Sequence, residues 1–344
     1  MMSFEDRAVR YKDLRPCTKA FIDTRSPGSD KKENFTIIGP GVAENPEQHI
    51  HIKIPHGFNI GGARQPANCL NSQHSHLTEE VFVVHTGKWD FISGVNADGG
   101  RVSLDAGDII SIPMDIFRGF ECIEGLARGE HQGLGYLHAV LGGDNPGRVL
   151  WAPKVFEMAK DFGLILLEDG SLVDTTVGES VPQGKKPMPV TNAQQIAEHR
   201  SIDSIALKDT VIRTTEFDWR NDTVLSKFSG VSEVSLIGGD SPEEGIEASK
   251  LGWKHGFVVR GLKLQAGASV PAHRRAEEEV IFVHRGRLSV KVGGETISLF
   301  EGDNFTTPID CIRSFINESD SAAICYVTRR GDKPQPPIFE SKED

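Results

Sequence analysis

The sequence predicts an all-β protein built from two similar barrels in tandem, with a few short helices. Three observations predict this class. The length of 344 residues suits about two domains. The chain repeats itself once, and each repeat is a series of short apolar runs separated by Gly, Asn and Asp. Many short strands at close spacing are typical of a barrel or of a two-sheet sandwich.

Two blocks of sequence occur twice in the same order. Residues 74–87 align with residues 273–286 without a gap, at an offset of 199 positions. Residues 107–118 align with residues 302–313 at an offset of 195 positions. Because the two offsets are nearly equal, the sequence predicts a duplicated domain.

Within each repeat the apolar runs predict short strands that end at turn residues. In the first repeat these strands are 81–84, 89–92, 102–104, 109–112 and 134–141. In the second repeat they are 280–283, 288–292, 296–300, 304–307 and 322–327.

Helical signals are few and lie after the first repeat. Ala152–Phe162 predicts a helix with Pro153 in its first turn, and a short helix is expected at 192–199. Residues 168–200 begin with a stretch rich in Gly, Pro, Ser and Thr, which is typical of a linker. The predicted domains are therefore 1–167 and 201–344.

The charge balance and the apolar runs exclude several classes of partner. The formal net charge is −11, which disfavours nucleic acid and anionic lipid. Every apolar run is far shorter than the roughly 18 residues of a membrane span. The charged opening of the chain does not resemble a signal peptide, and the five cysteines form no close pair. We therefore expect a cytoplasmic protein without nucleic-acid or membrane partners.

The best candidate metal ligands lie at the start of the first repeat. Histidines two positions apart on a strand point to the same face, so His74 and His76 can present two imidazoles to one point. Glu80 follows closely. Two imidazoles and one carboxylate suit Fe(II), with Mn, Ni, Cu or Zn as competitors. In the second repeat Arg275 replaces the second histidine, so we expect metal in the first copy alone.

The order and spacing of these histidine, glutamate, glycine and proline residues resemble those of a bicupin of the cupin superfamily. The resemblance implies two cupin barrels, of the double-stranded β-helix or jelly-roll type, and a homodimer. It also implies a metal held by three histidines and one glutamate, but arginine stands at the third histidine position in both repeats. The residues that match the two cupin motifs in the first repeat are His74, His76, Glu80, Gly87, Gly107 and Pro113.

Arg118 and His138 complete the set of candidate site residues. Arg118 is the arginine at the missing histidine position and could hold an anionic substrate. A local ion pair with Asp115 is the alternative. His138 lies on the last predicted strand of the first repeat and could supply a further ligand or catalytic group, although a packed structural histidine is the alternative.

The site and the resemblance together suggest a reaction class. The first hypothesis is a non-haem iron dioxygenase that acts on a small oxygenated organic acid, aromatic or dicarbonyl. The alternative is a non-oxidative isomerase, lyase or decarboxylase that uses the ion as a Lewis acid on a sugar acid or keto acid. A third possibility is a catalytically silent bicupin that binds a small molecule. Fold alone does not decide among them.

Overall fold

The structure is a computed structural model, and it describes residues 3–340. The strands of the first half are β1 (Ala8–Val9), β2 (Glu33–Ile38), β3 (Ile50–Ile52), β4 (Phe58–Pro66), β5 (Cys69–Ser75), β6 (Glu80–Thr86), β7 (Lys88–Ser93), β8 (Arg101–Leu104), β9 (Ile109–Ile112), β10 (Arg118–Glu124), β11 (Leu134–Gly142), β12 (Leu150–Trp151), β13 (Leu164–Leu166) and β14 (Leu172–Asp174).

The second half contains β15 (Val211–Ile212), β16 (Val231–Ile237), β17 (Phe257–Leu264), β18 (Ser269–Arg274), β19 (Glu279–Arg285), β20 (Arg287–Val292), β21 (Glu295–Phe300), β22 (Asn304–Thr307), β23 (Arg313–Ile316), β24 (Ala323–Arg330) and β25 (Ile338–Phe339). The α-helices are α1 (Pro153–Asp161), α2 (Ala193–Ala197) and α3 (Ser204–Asp209). No helix within residues 3–340 has the length and apolarity that crossing a membrane requires.

The first barrel is a sandwich of two sheets. One sheet has the strand order β15-β9-β6-β11-β4-β2-β3, and the other has the order β12-β5-β10-β7-β8. Alternate side chains of each strand point between the sheets. They form one apolar core, in which Phe82 of β6 packs with Phe91 and Phe120 of the opposite sheet.

The second barrel repeats this plan. Its sheets have the orders β1-β22-β19-β24-β17-β16 and β21-β20-β23-β18-β25. The short strands also correspond, because β15 pairs with β9 in the first barrel as β1 pairs with β22 in the second. The prediction of an all-β chain with two tandem barrels and few short helices is therefore confirmed.

The division of the chain differs from the predicted boundaries. One compact unit contains Arg15–Lys53 and Asn59–Arg213, and the other contains the described residues up to Leu14, Ile54–Phe58 and Thr214 onward. The predicted linker 168–200 is part of the first unit, because its β14 pairs with β13 and Thr191 donates a hydrogen bond to the Trp151 carbonyl. Residues 1, 2 and 341–344 of the predicted domains lie outside the described residues.

Tight turns explain a glycine that occurs at the same place in both repeats. Gly87 joins β6 to β7 with a φ of +85°, and a Cβ there would lie 2.5 Å from the Glu124 carbonyl oxygen. Its counterpart Gly286 has a φ of +80°, and a Cβ there would lie 2.7 Å from the Ala322 carbonyl oxygen. Both positions therefore need a residue without a side chain, for reasons of backbone conformation and of space.

Substitution of this turn glycine should destabilise the first barrel. We expect Gly87→Ala to lower the free energy of unfolding by at least about 2 kcal/mol, because a left-handed backbone and a steric overlap both oppose the methyl group. Gly133→Ala is the matched control, since its φ is +81° but no described atom lies within 4 Å of the added Cβ. The control should cost about 1 kcal/mol. Equal losses in denaturant unfolding would contradict the steric argument.

Candidate metal centre

A β-bulge in β5 determines which of its side chains point into the first barrel. His74 lies opposite Arg118 of β10, whereas Asn71 lies opposite Phe120. Three steps along β5 therefore correspond to two along β10, so β5 carries one extra residue. A bulge of this kind re-aims side chains. As a result, Asn71 and His74 both line the cavity of the barrel although they are an odd number of residues apart.

His74, His76 and Glu80 lie close together in this interior. Each of the three offers a ligand atom within 4.8 Å of the others, and all three side chains are buried. The two imidazole rings are 4.9 Å apart, and His76 Nε2 lies 3.5 Å from Glu80 Oε2. The structure thus brings together the three residues that the sequence predicts as metal ligands.

Both histidines present uncharged nitrogens. His74 Nδ1 donates a hydrogen bond to the Ser72 carbonyl at 2.6 Å, which leaves the lone pair on Nε2. Burial, reinforced by the positive charge of Arg118, holds the pKa of His74 and of His76 well below the usual range. Neutral imidazoles are competent metal ligands. The donor set therefore fits a divalent ion of borderline character.

Arg118 bonds to the carboxylate of the cluster. Its Nη2 donates to Glu80 Oε2 at 2.6 Å, and both side chains are buried. Burial raises the pKa of Glu80, although the attraction of Arg118 opposes this effect. The alternative of a local Asp115–Arg118 ion pair is wrong, because Asp115 pairs with Arg200 instead.

The three residues of the cluster line a small cavity. The cavity has a volume of ≈ 70 Å³. Most of its wall is apolar and comes from β2, β4, β6, β10, β11, β12 and the loops beside them. The apolar lining residues include Phe21, Phe35, Ile60, Ala63, Phe82, Phe120, Ala139, Leu141, Val149 and Trp151. A wall of this kind surrounds the three ligand side chains mostly with apolar groups.

The second barrel has a guanidinium group in place of the second imidazole. Arg275 Nε lies 2.9 Å from Glu279 Oε2, and Arg313 Nη2 donates to Glu279 Oε1 at 2.8 Å. Burial alone would raise the pKa of Glu279, but the two guanidinium groups lower it to about 2. Two arginines therefore balance the charge of Glu279, whereas Glu80 contacts one arginine and lies beside two neutral imidazole rings.

The structure does not bring His138 to the cluster. On β11, Ala139 and Leu141 line the cavity, and neighbouring residues of a strand point to opposite faces. His138 thus projects from the outer face of its sheet, where burial lowers its pKa to about 3. His138 is therefore not part of the proposed site.

Sequence reasoning missed a group of buried charges beside the cavity. Lys32 is ion-paired with Asp23, and its Nζ donates to Asn71 Oδ1 at 2.7 Å. Trp151 contacts the His74 ring at 5.3 Å and donates to Glu44 Oε1 at 2.6 Å. The residues before β4 show no periodic pattern, and charges in such a stretch are usually exposed. Only the folded arrangement reveals their role.

Comparisons with known proteins agree with this architecture. Residues 262–329 match the family described as Cupin domain. Oxalate decarboxylase of Lactobacillus farciminis, in its formate complex, superposes with a TM-score of 0.57 at 11% identity, over 96% of this chain and 88% of that one. Oxalate decarboxylase of Bacillus subtilis at pH 4.6 superposes with a TM-score of 0.55 at 10% identity, over 97% and 78%. No curated protein matches the sequence.

The superpositions extend over nearly the whole chain and show that it has the bicupin fold, in which two cupin barrels follow one another. The family match covers residues 262–329, and over the rest of the chain the likeness to cupins is one of fold. Identities of 10–11% establish the fold and leave the reaction open.

Glu44 should make the stability of the protein depend on pH. Burial raises the pKa of Glu44 from 4.5 to about 8, with a further contribution from Asp23, while bonds from Trp151 and Ile22 oppose the rise. Because the folded pKa exceeds the unfolded value, this contribution to stability is complete below about pH 4.5 and is lost as the pH rises through 8.

We expect Glu44→Gln to remove the loss of stability that accompanies the ionisation of Glu44. The unfolding midpoint of the natural chain, measured by calorimetry, should fall relative to that of the variant between about pH 5 and pH 8. A constant offset between the two chains, from the altered hydrogen bond to Trp151, does not affect the comparison. Parallel curves would show that Glu44 titrates normally.

Proposed function

We propose that this protein is a metal-dependent enzyme that carries out a non-oxidative reaction, of the lyase, decarboxylase or isomerase type, on a small organic acid. The buried cluster of His74, His76 and Glu80, which lines a cavity, carries the proposal. A divalent ion bound by these residues would act as a Lewis acid on a carboxylate or carbonyl oxygen of the substrate.

The charges of the site favour an anionic substrate. Arg118 bonds to Glu80 through Nη2, while its buried Nε and Nη1 have no hydrogen-bond partner among the described residues. Unsatisfied guanidinium donors in a buried site are costly unless an acceptor meets them. In our proposal, Arg118 holds Glu80 in place and also attracts the carboxylate of the substrate to the same end of the cavity.

The size of the cavity favours a small substrate. A volume of ≈ 70 Å³ holds roughly five or six water-sized groups. This room suits a short acid better than a substituted aromatic ring. The small volume also favours the non-oxidative alternative over ring cleavage, and the two similar structures named above are decarboxylases.

The donor set selects no particular ion among Fe(II), Mn(II) and the other candidates. Homodimer formation and a cytoplasmic location stay predictions.

Metal content provides the first test. We expect the full chain, purified without chelators and supplied with Mn(II), to bind about one ion, and His76→Ala to lose most of it because three ligands become two. His273→Ala is the matched control in the other barrel and should retain the metal. Elemental analysis measures the result. Equal loss in both variants, or no metal in any chain, would refute the proposal.

Turnover without oxygen consumption provides the second test. The Mn(II)-loaded chain is incubated with oxalate, malonate and short 2-oxo acids, while an oxygen electrode and a product assay by NMR run in parallel. We expect product to form at an unchanged oxygen level, and Arg118→Gln to lower kcat/KM by about 10²-fold or more because a buried charged contact is lost. Oxygen uptake in proportion to product would instead indicate the dioxygenase.

A further inference from the structure

The outer face of the first barrel carries a groove that is distinct from the cavity at the metal cluster. Phe91 and Phe120 belong to the core, so their neighbours Ile92 and Gly119 face outward, and both line this groove. Helix α1 forms its side wall. The groove has a volume of ≈ 310 Å³, and small-molecule sites in proteins usually have roughly 300–1,000 Å³ and a mostly apolar lining. Its size is therefore that of a ligand site.

A glycine keeps the floor of the groove low. A Cβ at Gly119 would lie 1.9 Å from Gln73 Oε1 and 2.6 Å from the Asn71 carbonyl oxygen. Because this side chain is absent, the Gln73 amide crosses from β5 over β10 to β7, where Nε2 donates to the carbonyl oxygens of Ile92 and Gly94 at 3.2 and 2.6 Å. The amide donors are thus used within the protein, and the floor offers a ligand mainly apolar contact.

Apolar side chains line the groove and stay partly exposed to solvent. The half-buried ones are Leu70 of β5, Ile92 of β7, Val95 of the loop that follows β7, and Met158 of α1. Ala159 on another side of α1 is buried in a neighbouring core cluster, so the helix is held beside the groove and does not fill it. An apolar molecule in the groove would remove these surfaces from water, which is favourable.

The charges at the rim of the groove favour an anion. Arg101 Nη1 donates to Asp90 Oδ2 at 2.7 Å and lies 3.8 Å from Glu121 Oε2, so carboxylates of the barrel balance its charge. Lys154, in the first turn of α1, also lines the groove but forms no ion pair within residues 3–340. A negative group of a ligand at this end gains an attraction that the protein itself does not supply.

The second barrel shows that the fold does not require an apolar groove at this place. Ala272 and Ser314 stand at the positions of Gln73 and Gly119 in the alignment of the two repeats. The corresponding face of the second barrel is lined by the turn between β20 and β21, residues 291–296, which consists mostly of glycine and polar residues. The apolar groove of the first barrel is therefore not a consequence of the cupin fold.

We propose that this groove binds a small amphipathic monocarboxylate, with its apolar body along Leu70, Ile92 and Met158 and its carboxylate beside the Lys154 ammonium group. The inference does not depend on the proposed function, because the groove contains none of the three predicted metal ligands. A mere gap between helix and sheet would also take up apolar molecules, but their binding would depend neither on their charge nor on Lys154.

The test compares ligands that share a chain length and differ in charge. The full chain is titrated by calorimetry with octanoate, octan-1-ol and octylammonium. We expect octanoate to bind at one site and octylammonium to bind about tenfold or more weakly. Lys154→Glu should weaken octanoate binding about fivefold or more, because an attraction becomes a repulsion. Lys160→Glu is the matched control, since it makes the same change in charge on α1 outside the groove, and it should keep the affinity within about twofold.

A second pair of variants locates the bound molecule. Ile92→Trp places a large side chain in the groove and should abolish octanoate binding, whereas Ile123→Trp, on β10 outside the groove, should leave it unchanged. Asn71 and Phe120 line both the groove and the cavity at the metal cluster, so the titration is repeated with and without Mn(II). We expect the same octanoate affinity in both conditions.

Several results would overturn the inference. Octanoate that does not bind up to about 10 mM, or that binds no more tightly than octan-1-ol and octylammonium, would show that no carboxylate site exists here. Equal effects of Lys154→Glu and Lys160→Glu would remove the role of Lys154. Binding that requires Mn(II) would place octanoate at the metal cluster. Circular dichroism checks the fold of each variant, and if Ile92→Trp misfolds, the two lysine variants at exposed positions decide.

Discussion

In each barrel a buried glutamate at the start of one strand determines which side chains must lie beside it, because its charge must be balanced in an apolar interior. In the second barrel Arg275 and Arg313 supply that balance with their guanidinium groups. In the first barrel Arg118 is joined by two neutral imidazoles. The same backbone can therefore carry a closed ion network or a site for a cation, and the exchange of His76 for Arg275 distinguishes them.

Much of the architecture was predictable from the sequence, because strand periodicity and repetition are local signals. The helix Pro153–Asp161 and the strand Ile109–Ile112 agree with the predicted elements. The strand Arg118–Glu124 was missed, since its polar residues do not alternate clearly. The boundary at residue 168 could not be predicted, because the pairing of β13 with β14 depends on contacts that composition does not encode.

The candidate site was predictable only where spacing implies direction. His74 and His76 share a face because they lie two residues apart, and the structure places them together. Alternation does not say which face of β11 is the inner one, so it could not exclude His138 from the site, and it does not anticipate the bulge that brings Asn71 into the lining of the cavity. Lys32, Asp23 and Glu44 reach the site through tertiary contacts. No pattern in a single sequence reveals charges that become buried in this way.

The strand β1 has a consequence for how the second barrel forms. Ala8 pairs with Phe305, so a sheet of this barrel is completed by residues roughly 300 positions apart. During synthesis the early segment leaves the ribosome long before its partner exists. Loop closure over this distance costs entropy before any contact repays it, so β1 should join late. Until then the edge of β22 stays open to pairing with other chains, so this step is exposed to aggregation.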